Sequence, residues 1–497
     1  MFKNLKTLSL TVMVCLLAAC SSSNDVNVAA NQQNLSQQSI SQQSTSQSEK
    51  QNVVMIIIDD LRPVIGAYGD SRAHTPNIDA LAKQGVLFNK AYVNVPVCGA
   101  SRASMMTGIR PTPTRFIDYK AMAEKDAPGA KSLPQVLKES GYYTMGIGKI
   151  FHKGQDLAEE SWSEPLQHSG LPHGTTFNPE SDKYRKGSKS DAKKKGKGPF
   201  YEIADVANED YPDGKVKQKA LAALDKLSQN QQPFFLSVGF IRPHLPFNAP
   251  KKYYDLHPES KFPPFFHREQ PKDAPESLKS SGEMRSYHLK DYDYNSDAFH
   301  TASQRGYYAS VSFVDALVGD VVAKIDQLGL RDNTTIVLLS DHGFNLGEHN
   351  FWTKHNMLDT ALRIPMIISG PNTAQNQQSD ALVELVDIFP TITELTQVAT
   401  PKQVAGQSFV SVLKQPSLNH KNYLYSRFKP GDSIINQQFI FTSYKTEAGA
   451  REEMMFDLKN DPHETVNIVQ QPQYAKVAAQ LRSRLTACMA KQDCQTH

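Results

Sequence analysis

Cys98 lies where the sequence pattern changes from extended to helical. The run Val95-Pro-Val-Cys-Gly-Ala-Ser-Arg-Ala-Ser-Met-Met-Thr-Gly108 places Ser101 and Arg102 one helical turn after this cysteine. A helix N-terminus offers unpaired backbone N–H groups and the positive end of the helix dipole, so an anion held beside Cys98 and Arg102 would be stabilised there. The pattern therefore indicates a site for a sulfate or phosphate ester.

Four apolar runs of the chain each end at charged or titratable residues. Residues 53–58 lead to Asp59 and Asp60, residues 144–148 to Lys149 and His152, residues 234–240 to Arg242 and His244, and residues 335–340 to Asp341 and His342. Continuous apolar runs of this kind are typical of strands that are covered on both faces. Because ligands of open parallel sheets bind beyond the carboxyl ends of the strands, these residues are predicted to share one cleft.

The regions between these runs carry helical patterns, as an alternating α/β fold requires. Helices are predicted over residues 77–85, 132–141, 215–230 and 304–329, and a further strand over residues 364–369. Later, short alternating runs over residues 422–427, 437–444 and 453–458 precede a helical pattern over residues 473–489. We therefore predict an α/β catalytic domain of residues 51–402, built on a large, mostly parallel sheet flanked by helices. A smaller C-terminal α+β subdomain of residues 403–497 would hold an antiparallel sheet and a helix.

The first fifty residues are typical of targeting and linking segments. A basic start and an apolar stretch too short for a stable membrane span indicate a signal peptide over residues 1–19. Leu17-Ala-Ala-Cys20 is similar to a bacterial lipobox, in which Cys20 would carry lipid; the alternative is a plain cleaved signal with a coincidental cysteine. Residues 20–50, mostly Ser, Gln and Asn, would form a flexible tether. We expect an exported protein, lipid-anchored to a bacterial membrane in the periplasm or at the outer membrane or cell surface.

Composition constrains the partners only weakly. The 497 residues, 39% of them hydrophobic, suffice for a large core, and the formal net charge of +3 argues neither for nor against a polyanionic partner. Cys488 and Cys494 lie close together in an exported chain, so they would either form a disulfide or remain two free thiols.

Two segments interrupt the alternating pattern. Residues 183–197 are strongly basic, and both a solvated surface loop and a contact to a sulfated polymer fit such a run. Nucleic acid is a poor candidate partner, because the run lacks interleaved aromatic residues and the chain is exported. Residues 263–300 are rich in Pro, Ser, Tyr and charge, which indicates a long insertion over the cleft.

Three carboxylates, those of Asp59, Asp60 and Asp341, follow two separate predicted strands. Carboxylates that meet in a buried cleft repel one another unless a hard divalent cation with oxygen ligands neutralises them. A helix cap or a solvated turn would explain one acidic pair alone. The combination of both strand ends with the segment around Cys98 predicts a metal site.

Several motifs resemble those of the formylglycine-dependent sulfatases of the alkaline phosphatase superfamily. Cys98-Gly-Ala-Ser-Arg102 is similar to their Cys-x-Pro/Ala-Ser-x-Arg-type signature, in the form in which Arg directly follows Ser. Gly148-Lys-Ile-Phe-His152 is similar to the form found in the iduronate-2-sulfatase-like branch. The resemblance extends over Asp59-Asp60, Tyr68-Gly69, Thr75-Pro-Asn-Ile-Asp-Ala-Leu-Ala82, Arg242-Pro-His-Leu-Pro-Phe247, Ser340-Asp-His-Gly-Phe-Asn-Leu-Gly-Glu-His349 and Phe456-Asp-Leu-Lys-Asn-Asp-Pro462.

The resemblance implies a modified residue and a bound cation. A formylglycine-generating or sulfatase-maturing enzyme would oxidise Cys98 to formylglycine, whose hydrated aldehyde is the family's nucleophile. One Ca²⁺ would be held by Asp59, Asp60, Cys98, Asp341 and His342. Many members have Asn where this chain has His342, and imidazole is an unusual calcium ligand, although the iduronate-2-sulfatase-like branch also carries His there. The signature departs again at Ala100, where its commonest form has Pro.

The resemblance also implies roles for the basic residues of the cleft. Arg102, Lys149 and Lys354 would screen the charge of the sulfate ester. His244, with Lys354, would protonate the sugar oxygen as it leaves, and His152 would take a proton from the second hydroxyl of the hydrate as sulfate departs. For each histidine singly, a structural role is the alternative.

The favoured function is hydrolysis of sulfate esters on a sulfated carbohydrate. The substrate would be a glycosaminoglycan or an algal polysaccharide or oligosaccharide, with a 2-O-sulfated uronate among the candidates. One alternative is a phosphonate or phosphate ester hydrolase of the same superfamily, although a two-metal phosphatase would use Ser or Thr where this chain has Cys98. Another is a surface lipoprotein that binds sulfated glycans without turnover, which would follow if Cys98 were never oxidised.

Overall fold

The computed structural model describes residues 50–185, 197–265 and 267–491. The predicted signal peptide, Cys20 and all but the last residue of the tether lie outside these ranges, as does most of the basic run. The strands are β1 (Asn52–Ile58), β2 (Val86–Phe88), β3 (Ala91–Tyr92), β4 (Tyr143–Gly148), β5 (Tyr201–Ala204), β6 (Phe234–Phe240), β7 (Phe247–Pro250), β8 (Thr334–Ser340), β9 (Asn345–Leu346), β10 (Trp352–Thr353), β11 (Arg363–Ile364), β12 (Met366–Ser369), β13 (Gln377–Ser379), β14 (Val383–Glu384), β15 (Leu424–Phe428), β16 (Gly431–Ile435), β17 (Phe439–Lys445) and β18 (Arg451–Asp457).

Seven of these strands form the central sheet, in the order β13-β2-β12-β8-β1-β6-β4. β1 pairs in parallel with both β6 and β8, and β4 pairs in parallel with β6. β12 alone in this sheet runs antiparallel to its neighbours, β2 and β8. The four predicted strands that end at charged residues are thus adjacent and parallel, so their carboxyl ends lie at the same edge.

Helices cover both faces of the sheet. They are α1 (Pro76–Lys83), α2 (Cys98–Thr107), α3 (Ala123–Asp126), α4 (Leu133–Glu139), α5 (Ala158–Ser161), α6 (Pro179–Arg185), α7 (Pro212–Leu227), α8 (Lys251–Asp255), α9 (Asp297–Gln327), α10 (Asp359–Leu362), α11 (Ile388–Leu395), α12 (Val410–Lys414) and α13 (Ala475–Lys491). Val53, Met55 and Ile57 of β1 pack in one core with α2, α4 and α11, whereas alternate residues of β1 pack in a second core with α1, α7 and α9. This two-sided burial explains why the central strands are continuously apolar.

The C-terminal part carries a four-stranded antiparallel sheet in the order β15-β16-β17-β18. One face packs against α13 through Tyr425, Phe441 and Leu481, and the other face joins the large core beneath the central sheet. Cys488 is buried on α13, while its predicted partner Cys494 lies outside the described residues. The predicted fold class, a large mostly parallel sheet with a smaller antiparallel one, is confirmed.

Two predicted elements differ in detail. The strand over residues 364–369 is two strands, because Pro365 interrupts it: β11 pairs with β3, and β12 joins the central sheet. Helix α9 begins at Asp297, where Ser296 caps it by accepting a hydrogen bond from the backbone N–H of Phe299, so the end of the predicted insertion is helical. Within the described ranges, none of the helices has the length and apolar character needed to cross a bilayer.

Candidate active site

The ends of the central strands bring the predicted carboxylates together. Ile58 of β1 is in register with Ser340 of β8, so Asp59, Asp60 and Asp341 follow at the same level. The backbone N–H of Asp60 donates to Oδ1 of Asp341 at 3.2 Å. Asp60 has a φ of 63°, a left-handed conformation that Asp tolerates better than most residues. All three side chains are buried.

His342 and Cys98 complete a cluster whose donor atoms suit a cation. Ligand atoms of Asp59, Cys98, Asp341 and His342 lie within 4.8 Å of one another. Nε2 of His342 is 3.1 Å from Sγ of Cys98 and 3.4 Å from Oδ1 of Asp60. A carboxylate-rich set buried in this way favours a divalent cation, since a cation offsets the repulsion that burial strengthens. Four of the five predicted ligands therefore form one group, the fifth, Asp60, lies beside it, and their donor atoms fit such an ion.

Cys98 is the first residue of α2, as the sequence pattern predicts. Burial, and next the nearby Asp59 carboxylate, raise the pKa of its thiol well above the usual range, so the unmodified side chain is a poor nucleophile. Gly99 is required beside it, because a Cβ at this position would lie 2.3 Å from the carbonyl oxygen of Tyr119. That close approach brings the Tyr119 segment up to the start of α2.

Arg102 binds protein groups rather than facing open space. Its Nε donates to Asp341 Oδ2 at 2.7 Å, its Nη2 donates to Asp59 Oδ1 at 3.2 Å, and its Nη1 donates to the carbonyls of Lys149 and Ile150. The side chain is fully buried and is not among the described residues that line the cavity beside Cys98. In this structure Arg102 therefore connects the ends of β1, β4 and β8, and its positive charge offsets the negative charges of Asp59 and Asp341.

Two lysines also pair with the acidic cluster. Lys149 Nζ contacts Asp59, and Lys354 Nζ donates to both carboxylate oxygens of Asp60 at 2.9 and 3.0 Å. Burial alone would lower the pKa of Lys354, but the acidic groups around it, Asp60 foremost, together hold this pKa well above the usual range, so the lysine is charged. Lys354 lines the cavity beside Cys98, whereas Lys149 lines an adjoining cavity.

The cavity that opens beside Cys98 has a volume of about 630 Å³ and includes both predicted histidines. Burial, and next the nearby Lys149 cation, lower the pKa of His152 to about 3, so this imidazole is neutral at neutral pH. Nδ1 of His152 is buried and meets no hydrogen-bond partner among the described residues. His244 faces the cavity with Nε2, since its Nδ1 lies 2.6 Å from the carbonyl oxygen of Leu245.

Other residues that line the cavity were not identified from the sequence as parts of the site. Tyr119 contacts the ring of His152 edge-on at 6.1 Å, and His173 contacts His244 in the same way at 5.0 Å. Glu283 lies in the predicted insertion and contacts both His244 and Lys354. None of the three follows a strand of the central sheet, so the pattern of apolar runs gave no signal for them.

The family models match this architecture. The model described as Sulfatase matches residues 51–398, and that described as N-sulphoglucosamine sulphohydrolase, C-terminal, matches residues 347–491. Mouse iduronate 2-sulfatase is 32% identical over 416 residues, which are 75% of this chain and 73% of the mouse protein. A sulfatase of Formosa agariphila is 31% identical over 437 residues, 84% of this chain and 83% of that protein. The chain therefore belongs to the sulfatase family, which makes it a sulfuric ester hydrolase.

Solved structures share the same fold. A protein solved in complex with its substrate D-glucosamine-2-N,6-O-disulfate has a TM-score of 0.70 at 22% identity, covering 90% of this chain and 100% of that one. The phosphonate monoester hydrolase of Agrobacterium radiobacter has a TM-score of 0.71 at 20% identity, covering 89% and 96%. At these identities the likeness describes the fold and leaves the substrate open.

Proposed function

We propose that this protein hydrolyses sulfate esters on a sulfated carbohydrate. One observation carries the proposal: Cys98 begins a helix beside three buried carboxylates and His342, at the wall of a cavity that is also lined by Lys354, His152 and His244. A sulfate monoester is a stable anion, so its hydrolysis requires cationic groups around the sulfuryl oxygens and a proton for the leaving oxygen. The cavity supplies both.

The residues present suit the two groups that the family implies. Asp59, Asp60, Asp341, His342 and residue 98 would hold a divalent cation, which we propose to be Ca²⁺ and which would supply Lewis-acid stabilisation of the ester's charge. A formylglycine formed from Cys98 would supply the nucleophile. Such a group would replace a thiol that is itself a poor nucleophile, because burial raises the pKa of Cys98.

The chain's own residues position the ester and move the protons. Lys354 lies at the cavity wall as a charged group and would bind a sulfuryl oxygen. His244 Nε2 faces the same space and would give a proton to the sugar oxygen as it leaves. His152, neutral at neutral pH, would accept a proton from the side chain at position 98. Arg102 and Lys149, paired with Asp59, hold the carboxylates in place beneath the cavity.

We propose a sulfated uronate or a related sulfated sugar as the substrate, from a glycosaminoglycan or an algal polysaccharide. Similarity to mouse and human iduronate 2-sulfatases, each at 32% identity, supports this class. An ulvan-active sulfatase from Formosa agariphila is also similar, at 25% identity over 89% of this chain. The cavity volume of about 630 Å³ fits a group the size of a monosaccharide with its sulfate.

A panel of defined sulfated oligosaccharides, assayed for released sulfate, tests the proposal. Peptide mass spectrometry of the same preparation establishes whether residue 98 is formylglycine, and 4-nitrophenyl sulfate and phenyl phosphonate esters are compared in parallel. Sulfate release from a sulfated saccharide by the modified protein supports the proposal. No release from any saccharide by fully modified protein would refute the substrate class, and faster turnover of the phosphonate ester would favour a phosphonate hydrolase. An unmodified thiol throughout would favour a glycan-binding protein without turnover.

We also propose that the protein is exported and anchored through lipid on Cys20. The support is sequence alone: the resemblance of Leu17-Ala-Ala-Cys20 to a lipobox and the polar composition of residues 20–50. Replacing Cys20 with Ala in the full-length chain should shift the protein from the membrane to the soluble fraction. Unchanged membrane association of this variant would remove the anchor from the proposal.

A further inference from the structure

The insertion predicted over residues 263–300 forms one wall of the cavity beside Cys98. Ser281, Gly282, Glu283, Ser286 and Tyr287 line the cavity from this side. The turn is fixed at both ends: Ser281 Oγ lies 2.8 Å from Nδ1 of His355, and the Tyr287 hydroxyl donates to the carbonyl of Leu245 at 3.1 Å. The side chain of Glu283 is therefore held at a defined place opposite the strand ends.

Glu283 bridges His244 and Lys354, the two groups that the resemblance assigns to protonation of the leaving oxygen. Its Oε1 is 3.2 Å from Nε2 of His244, and its Oε2 is 2.9 Å from Nζ of Lys354. An acidic side chain in a pocket for an anion is unfavourable unless it has a task, because it repels the substrate. Burial would raise the pKa of Glu283, but Lys354 and His244 hold that pKa well below the usual range, so the group stays a carboxylate.

An acceptor oxygen lies beside each ring nitrogen of His244. Nδ1 faces the carbonyl oxygen of Leu245 at 2.6 Å, and Nε2 faces the Glu283 carboxylate. Both partners are acceptors without hydrogens, so each ring nitrogen of His244 lies beside a group that can accept its proton. A ring nitrogen of His244 also lies within 4.8 Å of ligand atoms of Asp59, Asp60 and Cys98.

We propose that Glu283 is a positioning residue that keeps Nε2 of His244 protonated, so that His244 can give this proton to the leaving oxygen. This inference rests on the proposed sulfatase function. As the nucleophile oxygen bonds to sulfur and the bond between sulfur and the sugar oxygen breaks, the electron pair of the broken bond goes to the sugar oxygen, which takes the Nε2 proton of His244. The ring is left neutral with Nδ1–H still donated to Leu245, and Glu283 remains a carboxylate paired with Lys354. The hydrolysis of a sulfate monoester to an alcohol and sulfate releases one proton overall, and water entering the emptied cavity carries a proton to Nε2.

Leaving groups of different basicity separate this role from a purely structural one. A 4-nitrophenolate leaves without a proton, whereas a 4-methoxyphenolate or a sugar alkoxide needs one. In the Glu283→Gln variant, kcat for 4-methoxyphenyl sulfate should fall about 100-fold, while kcat for 4-nitrophenyl sulfate should stay within about threefold of the native value. KM for both esters should not rise, because the variant removes a negative charge from the anion pocket.

Matched variants keep the test decisive. Glu283→Asp retains a carboxylate and should recover about tenfold of the lost kcat with 4-methoxyphenyl sulfate. Glu269→Gln makes the same change on an exposed residue of the same insertion and should leave both rates unchanged. Equal losses with both esters in Glu283→Gln, or a failure of Glu283→Asp to recover any activity, would overturn the proposal and leave Glu283 a structural tether.

A second measurement does not depend on turnover. In protein labelled with ¹⁵N-histidine, the His244 signals, assigned by comparison with His244→Gln, should be those of a doubly protonated ring at neutral pH and should become those of a neutral ring in Glu283→Gln. A neutral His244 in the native protein would overturn the inference even if sulfatase activity is found. Absence of any sulfate ester turnover, with His244 doubly protonated, would instead count against the proposed function alone.

Discussion

Two networks of buried charge can be compared in this molecule. At the strand ends, Asp59, Asp60 and Asp341 are paired with Arg102, Lys149 and Lys354. The second network joins the central domain to the segment that precedes the C-terminal sheet. There Glu384 accepts from Arg110 Nη1 at 2.8 Å and from Lys421 Nζ at 2.6 Å, and Lys421 also contacts Asp387.

The difference between the networks lies in what surrounds them. The strand-end network borders a cavity of about 630 Å³, and its acidic groups converge with Cys98 and His342. None of Arg110, Glu384, Asp387 or Lys421 is among the described residues that line that cavity; Asn94 also contacts Glu384, and His420 contacts Asp387. Buried charge alone therefore does not define a site; convergence of donor atoms at an accessible wall does. The first network should be needed for turnover and the second for stability.

The largest effect should come from Cys98→Ala. Losing the precursor of the nucleophile should lower kcat at least about 10⁴-fold, while the free energy of unfolding changes by only about 1 kcal/mol because one small buried atom is removed. Sulfate release and denaturant unfolding of the same preparation measure the two effects. Substantial activity in this variant would break the comparison, since the strand-end network would then not work through residue 98.

Glu384→Gln should show the opposite pattern. It leaves Arg110 and Lys421 buried without their shared carboxylate, which should cost roughly 3–5 kcal/mol of stability. The kcat of the protein that remains folded should be unchanged. Glu139→Gln is the matched control: its ion pair with Lys131 is about half exposed on both sides and should contribute less than about 1 kcal/mol. A fall in kcat with unchanged stability would contradict this assignment, because the second network would then be needed for turnover.

The strand-end network was largely predictable from sequence, because the regular arrangement of parallel strands determines where its carboxylates lie. Parallel strands in register place the residues that follow them side by side, so Asp59 and Asp341 could be expected to meet. The resemblance added Cys98 and His342 as ligands of the cation. The sequence did not reveal that Arg102 donates to carboxylates and carbonyls beneath the cavity. Its partners depend on which face of α2 packs against the strand ends, and the motif alone does not specify that face.

The opposite wall of the cavity could not be predicted in the same way. Glu283 lies in an irregular segment with no periodic pattern, and its place depends on contacts with His355 and Leu245, which are distant in sequence. Strand β16 was missed for a local reason: it begins Gly431-Asp432-Ser433, residues of low strand propensity, and is fixed by pairing with β15 and β17. The boundary at residue 402 stays a prediction.

His300 differs from the members of both networks, because it is a buried titratable group that is kept neutral rather than paired with an opposite charge. It is fully buried beside Trp352, and burial followed by the nearby Arg268 cation lowers its pKa to about 4. Between about pH 6.5 and pH 4 the unfolded chain binds a proton that the native protein does not, so stability falls as pH falls through this window. His300→Phe should remove this term and gain on the order of 2 kcal/mol at pH 5 relative to its effect at pH 7. Denaturant unfolding at both pH values measures it, and parallel pH profiles of variant and native protein would contradict it.

The smallest effect should arise where charge is exposed to solvent at the rim of the cavity. Lys197 ends the basic run, lines the cavity, donates to Ser286 Oγ at 2.8 Å and lies 4.9 Å from the ring centre of Tyr287. Solvent screens such a charge far more than it screens Lys354, so Lys197→Gln should raise KM for a sulfated saccharide only about threefold at low salt and less at high salt, with kcat unchanged. Lys183→Gln, in the same basic run but on an exposed face of α6, should leave KM unchanged. Equal effects of the two variants would mean that the run acts as a general basic surface, and a large fall in kcat would place Lys197 with the buried strand-end network.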